Sequence, residues 1–109
     1  MQMGWTVETL NAKVDAEIEL LPADMRARLV RVAQLIQSQG LHSVREPYVK
    51  HLQGKLWEMR VSGRDGIARG VYVAVNGQRV VIVRVFIKKT QKTPRAEIAL
   101  AMERAKAVL

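Results

Sequence analysis

The feature that most constrains this chain is a change of hydrophobic period. Between Leu10 and Ile36 apolar residues recur three and four apart, the spacing of one helical face, whereas between Leu56 and Ile87 they alternate or run on continuously, as strands do. Leu10, Val14, Ile18 and Leu21 form one stripe. Pro22 interrupts it and suits the first turn of a second helix, in which Met25, Leu29, Val32 and Ile36 share a face. Gly40 is placed to end that helix as a left-handed cap. A helical period cannot bury one face of a strand, so the two halves must fold as a helical hairpin followed by a sheet.

The sheet half is well punctuated. Trp5 to Leu10 reads as a short strand ahead of the helices, and Leu41 to Gly54 is irregular. From Leu56 to Val61, Trp57, Met59 and Val61 point one way and Leu56, Glu58 and Arg60 the other. Ser62 to Gly66 is a polar turn. A strand from Ile67 to Val75 and another from Arg79 to Ile87 flank Asn76-Gly77, a type I′ hairpin signal. The last of these strands is apolar on both faces apart from Arg84, so it is expected to be covered on both sides. Thr93 and Pro94 are an N-cap and first-turn pair opening a final helix with Ile98, Met102, Ala105 and Leu109 on its buried side. The expected fold is α+β, a single domain over residues 1–109 with two N-terminal helices on a twisted antiparallel sheet and a C-terminal helix.

Composition narrows the function. The chain has 109 residues and no cysteine, which excludes a disulfide framework and a thiolate metal site. His42 and His51 are too few for a metal site without carboxylates. No apolar run is long enough to span a membrane and no secretory signal is visible, so a soluble cytoplasmic protein is expected. The net charge of +8 is uneven. Residues 1–40 hold four bases against five acids, and the remainder holds fourteen against five. Concentrated positive charge attracts a polyanion, and nucleic acid is the commonest one in the cytoplasm.

Cleaving RNA without metal requires that the 2′-hydroxyl lose a proton, the leaving 5′-oxygen gain one, and the charge on phosphorus be stabilised. Arginine and lysine supply the last of these. Arg60, Arg69 and Arg84 each interrupt a strand, one per strand, and Lys88, Lys89 and Lys92 follow the third strand toward a helix N-terminus whose amides favour phosphate. Whether the three arginines share a face depends on register. Each also has a plainer reading: an Arg60–Glu58 surface ion pair, an exposed strand start for Arg69, a structural partner for Arg84, a solvated basic loop for the lysines. Trp57 and Phe86 read as core, Tyr72 as packing or as a base-stacking group, and His51 as a surface histidine or a minor functional candidate.

The residues Leu56-Trp57-Glu58-Met59-Arg60, Gly66-Ile67-Ala68-Arg69, Phe86-Ile87-Lys88-Lys89-Thr90-Gln91-Lys92-Thr93-Pro94 and Glu97-Ile98, with Trp5-Thr6-Val7-Glu8 and Glu46-Pro47-Tyr48-Val49-Lys50-His51-Leu52, resemble the RelE/HigB superfamily of toxins, in its phage-derived, HigB-like branch. The resemblance spans nearly the whole chain. It implies a twisted antiparallel sheet with two helices on one side and a C-terminal helix. It also implies the toxin of a type II toxin–antitoxin system, a ribosome-dependent mRNA endoribonuclease with no metal or cofactor, neutralised by a co-encoded antitoxin, often a helix-turn-helix protein. By resemblance Arg60 and Arg69 match positions that hold the scissile phosphate, and Lys89 lies near a third. Lys89 and Arg84 are expected nearby as further cations or proton-transfer groups, and Lys50, Lys88, Lys92 and His51 are RNA-gripping candidates. The chain departs from the family at Ala68 and Ala99, where relatives often carry tyrosine, and at Arg84, where the branch commonly has histidine. Two other functions compete with the nuclease: an RNA- or ribosome-binding protein that blocks translation without cleavage, and an accessory protein whose basic face meets an acidic partner.

Overall fold

The computed structural model describes residues 4–45, 47–90 and 92–109. Residues 1–3, Glu46 and Gln91 lie outside it, the last two within segments on which the resemblance rests. Among the described residues the order is β1 (Thr6–Thr9), α1 (Ala12–Glu19), α2 (Ala23–Gln39), a 3-10 turn (Leu41–Ser43), β2 (Val49–Gln53), β3 (Leu56–Gly63), β4 (Gly66–Val75), β5 (Arg79–Lys88) and α3 (Arg95–Ala105).

The strands form one sheet in the order β1-β5-β4-β3-β2, antiparallel except that β1 runs parallel to β5. The expected antiparallel sheet therefore carries one parallel edge strand. Antiparallel neighbours can be joined by tight turns, whereas β1 reaches β5 only after the helices and the other strands, so no turn dictates its direction. The one strand that the sequence pattern does not announce, among the described residues, is β2, which lies in the irregular stretch Leu41 to Gly54. Its pattern is masked because only Val49 is fully buried while Lys50, His51 and Gln53 are exposed, as befits an edge.

The two faces of the sheet hold separate cores. On one, Val14, Met25, Leu29, Val32 and Ile36 of the helical hairpin pack on Met59, Val61, Tyr72, Ile82 and Val85. On the other, Ala101 and Ala105 of α3 pack on Leu56, Val71, Val73, Val83 and Phe86. This is why β5 is apolar on both sides. Burial of the valine, leucine, isoleucine, methionine and phenylalanine side chains among these contributes about 1.5–3 kcal/mol each. At Gly63 the contact between α2 and β3 is so close that an added Cβ would lie 2.6 Å from Met25 Cγ, so this strand end requires the absence of a side chain.

Several local signals fall where the sequence places them, and others are displaced or overturned. Asn11 caps α1 by accepting from Val14 N at 3.2 Å, so Leu10 precedes the helix and donates its own amide to Ile82 O at 2.9 Å. Gly40 does close α2 at φ +88°, but with ψ 154° rather than the compact left-handed conformation. The β4–β5 connection is not a two-residue type I′ turn. Val75 pairs with Arg79, leaving Asn76, Gly77 and Gln78 in the loop, and the positive φ values fall on Gly77 and Gln78. The buried stripe of α3 is also rotated: Ala101 and Ala105 are fully buried, whereas Met102 and Leu109 are 40% and 58% exposed. Small residues let the helix lie close on the sheet, and the larger ones are turned outward. Trp57 is likewise not core, being 40% exposed, while Phe86 and Tyr72 are buried as packing residues.

Candidate nucleic-acid interface

Register resolves what strand parity could not. Arg60 lies directly opposite Arg69, Arg69 opposite Phe86, and Val71 opposite Arg84. A bulge in β5 at Val83 keeps Arg84 and Phe86 on the face of Arg69. The three arginines therefore share the face of the sheet on which α3 packs.

They are not equally accessible. Arg69 is fully buried. Its Nη1 donates to Thr93 Oγ1 at 2.9 Å and its Nη2 to Thr90 O, while Nε has no hydrogen-bond partner among the described residues. Thr93 Oγ1 in turn donates to Glu58 Oε2 at 2.8 Å, and Glu58 Oε1 lies 3.0 Å from Arg60 Nε. Two cations directly opposite each other would repel. Glu58, itself 1% exposed, supplies the charge that makes the pair tolerable. Burial pushes the Arg69 guanidinium below its ordinary value, Glu58 pulls it back and Arg60 pushes it further down.

Three expectations are corrected here. Arg69 does not stand at an exposed strand start, and its guanidinium faces the β5–α3 connection rather than solvent. Thr93 is not the N-cap of α3. Pro94 occupies that position with no side-chain cap, because the Thr93 hydroxyl is engaged between Arg69 and Glu58. The Arg60–Glu58 pair exists, but it is a largely buried contact and not a surface one.

Arg84 has the partner that a cation in an apolar strand needs. Its Nη1 is 2.7 Å from Glu17 Oε2 on α1, and Nε and Nη2 donate to the two oxygens of Glu97 on α3 at 2.6 and 3.1 Å. The hydrogen bond to Glu97, above all, raises the Arg84 pKa despite its burial. Arg104 joins the same group, 2.9 Å from Glu17 Oε2 and donating to Val83 O at 2.9 Å, while Val85 N donates to Glu17 Oε1 at 3.0 Å. Past the end of β1 the edge of β5 is thus satisfied by side chains. Nothing in the sequence marks Glu17, Glu97 and Arg104 as partners, because charged positions on separate helices reveal nothing about contact until the helices are placed.

Lys88, Lys89 and Lys92 are exposed along the segment that Arg69 anchors from beneath, and Lys50 is exposed on β2 opposite Glu58, hence on the same face. His51 is not part of this group. It pairs with Trp57 and lies on the other face. Ala68 is also buried on that other face, among the residues under the helical hairpin, whereas Ala99 is exposed on α3. The α3 side therefore presents exposed ammonium groups around a rigid arginine–threonine–glutamate base, an arrangement suited to holding phosphates. Among the described residues no three His, Cys, Asp or Glu side chains gather as a metal-binding group, and no helix is long and apolar enough to cross a membrane.

Helices on both faces of a five-stranded, mostly antiparallel sheet define the fold of the RelE toxins. The chain matches the structure of a double arginine-to-alanine mutant of the E. coli toxin RelE in the free state, with a TM-score of 0.60 over 97% of this chain and 99% of that one, at 17% identity. Residues 16–106 match the family described as Phage derived protein Gp49-like, and the chain belongs to that family, one of the RelE/HigB type. Among curated proteins no sequence matches it.

Proposed function

We propose that this toxin inhibits translation as a ribosome-dependent mRNA endoribonuclease and is held inactive by a co-encoded antitoxin of helix-turn-helix type. The observation that carries this reading is the basic Lys88–Lys92 segment held from beneath by the buried Arg69. Lys88, Lys89 and Lys92, with Arg60 and Lys50 on the same face of the sheet, are assigned to the phosphates. Arg69 is assigned a positioning role, since Thr90 and Thr93 cover it. In the reaction the 2′-oxygen attacks phosphorus as its proton leaves to an acceptor. The bond to the 5′-oxygen breaks and that oxygen takes a proton, for which the Lys89 ammonium is our candidate donor. The products are a 2′,3′-cyclic phosphate and a free 5′-hydroxyl.

The test is end-labelled mRNA in a purified ribosome complex. The wild type should cut the message only when ribosomes are present and leave a cyclic phosphate. Replacing Lys88, Lys89 and Lys92 together by alanine should abolish cutting. Cutting by the triple variant at the wild-type rate would remove the basis of the proposal.

A second reading, a ribosome blocker that does not cut, is favoured by one observation. Each of the three sheet arginines already faces a carboxylate or a buried threonine, and both histidines lie away from this face. It predicts arrested ribosomes carrying intact messages in the same assay.

A further inference from the structure

A pocket lies on the opposite face from the arginines. Its volume is about 580 Å³, within the range of about 300–1,000 Å³ usual for small-ligand sites. Val44, Val49 and Tyr72 contribute apolar walls, and Trp57 stands beside them 40% exposed. An indole exposed at the mouth of a pocket offers a flat face on which a ring can stack. Its ring is already braced, with the His51 imidazole 4.9 Å away at an interplanar angle of 61°. His51 Nε2 lies 2.8 Å from Gly54 O, a carbonyl that can only accept, so Nε2 is the donor of that bond. His42 and Arg45 complete the polar rim, and no carboxylate lines the pocket among the described residues.

We propose that this pocket takes one nucleobase of a single-stranded RNA, stacked on Trp57, with Arg45 at the attached phosphate and the histidines at the base edge. The chemistry favours RNA over a peptide. The walls are aromatic and apolar, the rim carries a cation and imidazoles, and no carboxylate among the described residues lines it. The location favours it too. Successive β2 residues send Lys50 to the arginine face and His51 to the pocket face. A strand of RNA held by Lys50 and the basic segment therefore needs only to turn around the β2 edge to bring its next base to Trp57. The inference rests on the RNA-binding part of the function proposed above and extends the interface to a face that reading does not use.

Binding without cleavage tests it. A labelled single-stranded RNA hexamer and a base-free hexamer of the same sugar-phosphate chain are titrated by fluorescence anisotropy against the wild type, Trp57→Ala and Trp57→Phe, each checked for folding by thermal melting. The wild type should prefer the hexamer with bases. Trp57→Ala should lose roughly five- to a hundredfold of affinity for it and almost none for the base-free chain, and Trp57→Phe should recover most of the loss. Equal affinity of the wild type for both hexamers overturns the proposal even if Trp57→Ala does not fold. So does an unchanged preference in Trp57→Ala, while leaving the phosphate-binding reading intact. Loss of binding to the co-encoded antitoxin, with RNA affinity unchanged, would assign the pocket to a protein partner and overturn it as well. No binding of either hexamer to any variant would count against RNA binding as a whole.

Discussion

Arg69 and Glu58 share a single hydroxyl: Thr93 Oγ1 accepts from Arg69 Nη1 at 2.9 Å and donates to Glu58 Oε2 at 2.8 Å. A buried guanidinium on β4 and a buried carboxylate on β3 are thereby joined through the residue just before α3, which fixes where the basic segment leaves the sheet. Replacing Thr93 by valine keeps the shape and removes both bonds. Because two buried charged groups then lose a partner, the loss of stability should be about 1–3 kcal/mol by urea denaturation, and Thr93→Ser should restore most of it. A valine variant as stable as the wild type would mean that the bridge contributes nothing.

Glu58 has a second task, since Arg60 and Arg69 are directly opposed across the strands. Glu58→Ala leaves two cations facing each other with little solvent to screen them. Removing one member of such a buried arrangement costs about 3–5 kcal/mol, and this variant should be the least stable of those considered for the α3 face. Replacing Arg60 as well, by methionine, should recover part of the loss, a coupling that a double-mutant cycle would read directly. Independent, additive effects would contradict the shared role.

Arg84 ties α1 to α3 through Glu17 and Glu97. Arg84→Leu should cost about 1–3 kcal/mol, because two carboxylates lose a hydrogen-bonded cation in a partly buried site. Hydrogen exchange should show the effect most strongly in α3. If Arg84 acts only as this tie, the variant should retain growth arrest at temperatures where it stays folded. Complete loss of toxicity in a folded variant would instead point to a direct role.

At the other end of β5, Arg79 binds Glu8 of β1 in an exposed bidentate pair, with bonds of 3.1 and 2.8 Å. The Arg79 hydrogen bond holds the Glu8 carboxyl below its ordinary value of 4.5. A carboxyl with a lowered folded-state pKa contributes stability above its unfolded pKa and loses it as pH falls through the folded value. Glu8→Gln should therefore melt slightly below the wild type at pH 7, and the two should coincide once the pH is well below 4.5. Molar salt should also close the gap, as expected for a solvent-exposed pair. A difference that persists in acid would have another origin.

Most of the architecture was legible in the sequence because periodicity is a local signal. The stripes Met25-Leu29-Val32-Ile36 and Trp57-Met59-Val61 each show the period of their element, and an apolar β5 announces that it is covered on both faces. What was not legible is relational. The parallel direction of β1 is set by a partner seventy residues away, and Trp57 is half-exposed because β2, an edge strand with one fully buried residue, leaves a pocket beside it. Within the candidate site, residue types pointed to the arginines, but only register put Arg60 opposite Arg69. Only tertiary packing turned Thr93 from a helix cap into the link between Arg69 and Glu58. His51 shows the reverse: a residue grouped with the cations by its neighbours in sequence is separated from them by the strand's own alternation.

The most direct test of translation-dependent cleavage is mapping of 5′ ends on cellular mRNA after brief induction, comparing a translated message with the same message lacking its start codon. The account predicts new ends within the translated copy alone, absent when Lys88, Lys89 and Lys92 are replaced by alanine. Growth arrest with both messages intact would contradict it and leave a ribosome blocker in its place.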